Sequence, residues 1–152
     1  MLYYYIGAIL FIGIDQLTKY IVMNQIDLYH TIEVIPNILS WTYVKNEGAA
    51  WNILEGKMWL FYIITTIVII AILYIMQKYA KPRKNLLLNL SLMLILAGAI
   101  GNFIDRLVHT FVVDMIQLTF FNFPVFNVAD MCLTVGVALA AIYIIKDESL
   151  NN

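Results

Sequence analysis

Asp15 and Lys19 stand four residues apart, Gly98, Asn102, Asp105 or Arg106, and His109 follow one another at three- or four-residue steps, and Asn127, Asp130 and Thr134 do the same. On a helix each set shares one face. All lie in or beside strongly apolar runs, where an ionisable group costs ~2.5–3.5 kcal/mol to insert and therefore marks a site more often than decoration. The chemistry narrows by elimination. A serine nucleophile needs an adjacent base, and the three serines, Ser40, Ser91 and Ser149, have no Gly-x-Ser-x-Gly turn. A zinc hydrolase wants two histidines on one helix face, and His30 and His109 have no such partner. One cysteine, Cys132, rules out a disulfide framework and any multi-cysteine relay; it reads as a small apolar filler. Carboxylates remain. Two aspartates at one site do not readily both ionise, so one keeps a proton while the other deprotonates water, which hydrolyses a peptide bond without a metal or a covalent intermediate. Asp15 and Asp105 each have a basic neighbour and stay charged, which leaves Asp114 and Asp130 as the pair.

The elements that must position these groups are membrane spans. Of 152 residues, 62% are hydrophobic and 12% charged, with a mean hydropathy of +0.83, against about 45–50% and about 25% in soluble domains. A chain this small cannot bury that excess, so the sequence predicts one integral membrane domain over 1–152. The net charge of −1 offers no basic face for nucleic acid. Four runs reach the roughly 20 residues a helix needs to cross: Leu2–Met23, Met58–Gln77, Leu86–Ile104 and Phe126–Ile145. The first lacks a signal peptide's basic start and small-residue cleavage site, so it stays. The basic loop Lys78-Tyr-Ala-Lys81-Pro-Arg83-Lys84 places itself and both termini in the cytoplasm. The outer loops, about 24–57 and 105–125, then meet the polar stripes at one depth. Tyr3–Tyr5, Trp51, Trp59 and Tyr143 fall near span ends, as an aromatic belt does. Thr31–Ile35 and Leu39–Val44, split by Pro36-Asn37, predict a hairpin or small curved sheet on the membrane surface. The segment 111–124 is too apolar for a solvated loop and is expected in the interface or against the bundle.

Plainer readings stay open for each piece. Asp15 and Lys19 could be an intrahelical pair that eases insertion, Asp105 and Arg106 interfacial charges that snorkel to water, Gly98 and Gly101 packing residues, and Asn127 and Asp130 helix caps. A proton-coupled transporter is a further class. It would need a path from face to face, and the cytoplasmic halves of the later spans offer only Thr65, Thr66, Asn89 and Ser91.

The segments Asp15-Gln-Leu-Thr-Lys19, Asn46-Glu-Gly-Ala-Ala-Trp51, Gly98-Ala-Ile-Gly-Asn102-Phe-Ile-Asp105-Arg106, Val113-Asp114-Met-Ile and Phe123-Pro-Val-Phe-Asn127-Val-Ala-Asp130 resemble, in order, the lipoprotein signal peptidases, or signal peptidase II. The resemblance implies four transmembrane helices with a small extracytoplasmic β-element after the first. The implied activity is that of a metal- and cofactor-independent aspartyl endopeptidase of the bacterial cytoplasmic membrane. It would cut prolipoproteins before their diacylglyceryl-modified cysteine, near the extracytoplasmic face. Asp114 and Asp130 match the catalytic dyad, and Asp15, Lys19, Asn46, Gly98, Asn102, Arg106, Asn127 and Ala129 match positions that shape the site. A monomer in contact with membrane lipids, blocked by cyclic peptides such as globomycin, is the expected form. Ala97 stands where a second glycine is common, and Met115 where an aromatic is usual.

Overall fold

In hydrocarbon, backbone amides must be satisfied within the segment, and the four apolar runs do so by coiling. The computed structural model shows α1 (Leu2–Gln25), α2 (Met58–Lys78), α3 (Leu86–His109) and α4 (Val128–Asn151). Each is long and apolar enough to cross a membrane. The structure describes residues 1–48, 57–79 and 85–151, apart from the side chains of 147–151. Trp51 and residues 80–84 of the basic loop lie outside the described residues.

Helix α3 continues five residues past its expected end at 104. Nothing in Asp105–His109 breaks a helix, and Arg106 and His109 occupy its last turn, where the macrodipole favours cations. It stops at Thr110, whose φ of 65° is left-handed and whose N–H returns to the Arg106 carbonyl at 3.1 Å, a left-handed C-terminal cap. Helix α4 starts two residues later than expected because Asn127 serves as its cap: the Asp130 N–H donates to Asn127 Oδ1 at 2.9 Å and the Asn127 N–H to Asp130 Oδ2 at 3.2 Å. That reciprocal pair is a capping box.

The predicted hairpin forms as β1 (Thr31–Ile35) and β2 (Leu39–Asn46). The segment expected as an interfacial loop contains a third strand, β3 (Val112–Leu118), antiparallel to β2 in the order β1-β2-β3. Val112 to Met115 are buried on both faces of β3, so period-two alternation is absent and the run reads as a generic apolar stretch. Val22 of α1 and Ile26, the residue that caps its C-terminus, pack on Val113 and Met115, which fastens the sheet to the bundle. At the other end of the bundle, Ala8, Ile72, Met76, Leu92, Met93, Leu96 and Ala97 form the core where α1, α2 and α3 meet.

Helix α3 is the central helix and packs against the other three. Small residues make that possible. A Cβ on Gly98 would meet the Ala129 carbonyl oxygen and Leu133 Cγ at 2.7 Å, and one on Gly101 would meet Asp15 Oδ2 at 2.6 Å and Ala129 Cβ at 3.1 Å. The close approach brings α1, α3 and α4 together at the sheet end of the bundle, where every polar stripe lies.

Candidate functional site

Lys19 organises the floor of the site. Its ammonium contacts Asp15 Oδ2 at 2.8 Å and Asp105 Oδ2 at 2.9 Å and donates to Asn102 Oδ1 at 3.1 Å, with Lys19 and both aspartates 1–2% exposed. The intrahelical pair is therefore real but not isolated, and Asp105 does not snorkel to water. Asp15 Oδ1 accepts the Ala129 N–H at 2.9 Å, Asp105 Oδ2 accepts the Val113 N–H at 3.0 Å, and Gln16 Nε2 donates to Asp105 Oδ1 at 2.8 Å and to the Gly101 carbonyl at 3.2 Å. These bonds tie the starts of α4 and β3 to α1 and α3. Breaking one partner of such a buried ionic group costs about 3–5 kcal/mol.

Above the floor sit the two remaining aspartates. Asp114 Oδ1 accepts Asn127 Nδ2 at 2.7 Å and Asp114 Oδ2 accepts Asn46 Nδ2 at 2.9 Å. Asp130 Oδ1 accepts Asn102 Nδ2 at 2.8 Å, while its Oδ2 takes the Asn127 N–H. Asn127 thus touches both carboxyls and caps α4 at once, so the capping and site readings hold together. Asn46 reaches Asp114 because Val44 pairs with Asp114 across the sheet and a residue two along shares that face. Its own Oδ1 accepts the Gly48 N–H at 3.0 Å. Burial and the charge of Asp130 push the Asp114 carboxyl up to about 7, against the opposing pull of the Asn46 and Asn127 amides.

Arg106 closes one side. It donates to the Gly48 carbonyl at 3.1 Å and the Asn102 carbonyl at 3.4 Å, and its guanidinium lies 4.4 Å from the Phe61 ring centre. Tyr62 of α2 donates to the Arg106 carbonyl at 2.9 Å. A cleft of about 1060 Å³ holds Asp114, Asp130, Asn46, Asn102 and Arg106 at its polar end, and its other walls include Ile64 and Val68 of α2 and Met131 and Val135 of α4. Met131 and Val135 are exposed, so the cleft leads from the buried Asp114 and half-buried Asp130 carboxyls to the lipid-facing surface between α2 and α4.

A family model described as signal peptidase (SPase) II matches residues 7–146. The chain belongs to the signal peptidase II family. It is 54% identical over 149 residues to a lipoprotein signal peptidase of Listeria monocytogenes serotype 4a, covering 97% of this chain and 96% of the relative. To the lipoprotein signal peptidase of Enterococcus faecalis it is 50% identical over 148 residues, covering 97% and 90%. A bacterial membrane enzyme solved by the in meso method at 2.3 Å superimposes with a TM-score of 0.94 at 42% identity, over 100% of this chain and 93% of that one. A second such structure, at 1.9 Å, gives a TM-score of 0.88 at 42% identity over 97% and 95%. The protein is a multi-pass bacterial membrane protein of a peptidase family.

In this signal peptidase II chain the structure gathers the ten residues that the resemblance assigns to the site. Asp114, Asp130, Asn46, Asn102, Arg106 and Asn127 meet around the carboxyls, Asp15 and Lys19 lie directly below, and Gly98 and Ala129 are the small contacts between α3 and α4. The sequence reading gave no role to Gln16, Phe61 or Tyr62, while Gly101, read there as a packing residue, lies against Asp15 and Ala129. Gln16 carried a usable signal, as an amide in the middle of a span needs partners as much as a charge does; the aromatic pair carried none. Cys132 is buried, in keeping with a filler.

Proposed function

We propose that this chain is an aspartyl endopeptidase that removes the signal peptide of prolipoproteins by cutting just before a diacylglyceryl-modified cysteine. One observation carries the reading: a buried carboxyl, Asp114, and a half-buried one, Asp130, stand at the polar head of a cleft whose other walls are largely apolar and lipid-facing. A substrate anchored by acyl chains presents its scissile bond at that depth. Asp114 and Asp130 share one proton. The ionised member takes a proton from water as the water oxygen bonds to the scissile carbonyl carbon, and the protonated member donates to the carbonyl oxygen. Collapse of the tetrahedral intermediate breaks the C–N bond, and the dyad returns a proton to the departing amine.

All four carboxyl oxygens accept an N–H donor, from Asn46, Asn127 and Asn102. Each oxygen keeps a second lone pair, open to the shared proton or to the attacking water. Lys19, Arg106 and the asparagines keep the polar groups satisfied where water is scarce. The site faces the extracytoplasmic side, with both termini in the cytoplasm, by the positive-inside rule. Purified protein incubated with a lipidated precursor peptide and its non-lipidated twin tests the reading: only the lipidated peptide is cut, the new end is the modified cysteine, and chelators leave the rate intact. Equal cutting of both peptides, or activity lost to a chelator and restored by zinc, overturns it.

A further inference from the structure

The amide of Asn102 is locked in orientation from behind. Its Oδ1 accepts from Lys19 Nζ at 3.1 Å and from Asn127 Nδ2 at 3.2 Å, which leaves Nδ2 to face Asp130 Oδ1 at 2.8 Å. The two ends of an asparagine amide have nearly the same shape, so shape alone does not choose between them; the donors behind it do. A flipped Asn102 would set its NH₂ against the Lys19 ammonium and its carbonyl against Asp130, donor on donor and acceptor on acceptor. Lys19 is fully engaged, as its three N–H groups have Asp15, Asp105 and Asn102 as acceptors.

We infer that Lys19 is a positioning residue for the peptide hydrolysis proposed above: by filling the Asn102 carbonyl it fixes which end of that amide meets Asp130. The inference rests on the dyad reading and goes beyond it. Neutralising Asp15 and Asp105 needs only a cation within reach of both, and the Lys19 charge also acts on Asp114 and Asp130 directly; a variant that removes Lys19 while holding the buried charge constant separates that effect from the orientation of the amide. Asp130 is faced by Asn102 and Arg106 from α3, by the Asn127 N–H at the start of its own helix, by Asp114 from β3, and at longer range by Lys19 and Asp15 from α1. Without Lys19 the Asn102 carbonyl keeps only Asn127 Nδ2, whose two hydrogens also face the Val113 carbonyl and Asp114 Oδ1, so the amide can turn its carbonyl toward Asp130, an arrangement that is satisfied only when a proton lies between them. The dyad then gains its second proton at a pH where the native site holds one, and the acid limb of the rate profile moves to higher pH.

Three variants test this. Lys19→Met removes the cation, Lys19→Met/Asp105→Asn does so while keeping the buried charge at −1, and Lys19→Met/Asp15→Asn/Asp105→Asn leaves nothing ionised there to bury, a replacement that buried ionic groups often tolerate. Each is purified in detergent, checked for folding by its melting temperature, and assayed over pH with the lipidated peptide beside wild type. In folded variants kcat falls by about 100-fold, the scale of a misplaced catalytic group, KM stays near the native value, and the acid limb shifts upward. A folded double or triple variant with native kcat and an unmoved acid limb overturns the inference and leaves Lys19 a neutralising residue. A wild-type protein that does not cut the lipidated peptide overturns the peptidase reading itself.

Discussion

Replacing Gly98 with alanine should disable the enzyme without touching a titratable group. The added Cβ would meet Leu133 Cγ at 2.7 Å, Leu133 N at 3.0 Å and the Ala129 carbonyl oxygen closer still, whereas non-bonded carbons settle at about 3.5–4.0 Å. The leucine side chain can turn away. The other two atoms are backbone of one turn of α4, so that turn must retreat by about 1 Å, at the ~1–3 kcal/mol typical of overpacking. Ala129 precedes Asp130, so the retreat lengthens the 2.8 Å bond from Asn102 to Asp130 beyond hydrogen-bonding range and strains the Ala129 N–H bond to Asp15. A displacement of that size costs about 100-fold in rate. The assay is the initial rate of cleavage of a lipidated precursor in detergent, with the melting temperature measured alongside. Gly13→Ala is the control: nothing lies within 4 Å of its Cβ, and alanine favours a helix over glycine by about 0.5–1 kcal/mol, so rate and stability should hold. A Gly98→Ala protein that cleaves at the wild-type rate would refute the claim that the α3–α4 approach sets the position of Asp130.

Asp114→Asn and Asp130→Asn should each abolish cleavage at near-normal abundance; substantial activity in either moves the chemistry to Asp15 or Asp105. Asp114 is held at about 7 in the fold against 3.8 unperturbed, so the native state keeps a proton that the unfolded chain releases, and stability falls as pH rises through that window. Asp114→Asn escapes this, and its melting temperature at pH 8 should equal or exceed wild type. In activity the same proton is lost above about pH 7, so kcat/KM should drop roughly tenfold per unit there. Asn46 favours the ionised form of Asp114, hence Asn46→Leu should carry that alkaline limb to higher pH; a shift to lower pH would contradict the assignment. A cysteine engineered at Arg83 should resist an impermeant reagent on intact cells while one at Asn37 reacts, and the reverse pattern would invert the topology.

Much of the architecture was legible because lipid leaves a chain few options. Where water is absent the backbone must coil, so four long apolar runs mean four helices, and the cost of burying Asp15, Lys19, Asn102, Asp105 and Asp130 picks them out one by one. The hairpin was legible from Pro36-Asn37 between two β-rich runs. Strand β3 was not, because burial on both faces erases alternation, and the ends of α3 and α4 were not, because the capping interactions at Thr110 and Asn127 compete with hydropathy at the boundary.

The sequence by itself determined the inventory: a membrane chain, three polar stripes that converge at one end of it, and two aspartates, Asp114 and Asp130, without an adjacent base. Tertiary structure decided the pairings. Lys19 bonds Asp15 on its own helix, as spacing allows, but also Asp105 and Asn102 from another helix, which spacing cannot show. The clearest case is Asn46. Trp41 pairs with Ile116 and Val44 with Asp114, so three steps along β2 match two along β3, and β2 carries a bulge. In a regular ladder Tyr43 would oppose Asp114 and Lys45 would share its face; the extra residue reverses the parity. An amide rather than an ammonium therefore meets the Asp114 carboxyl, which leaves it free to hold a proton near neutrality.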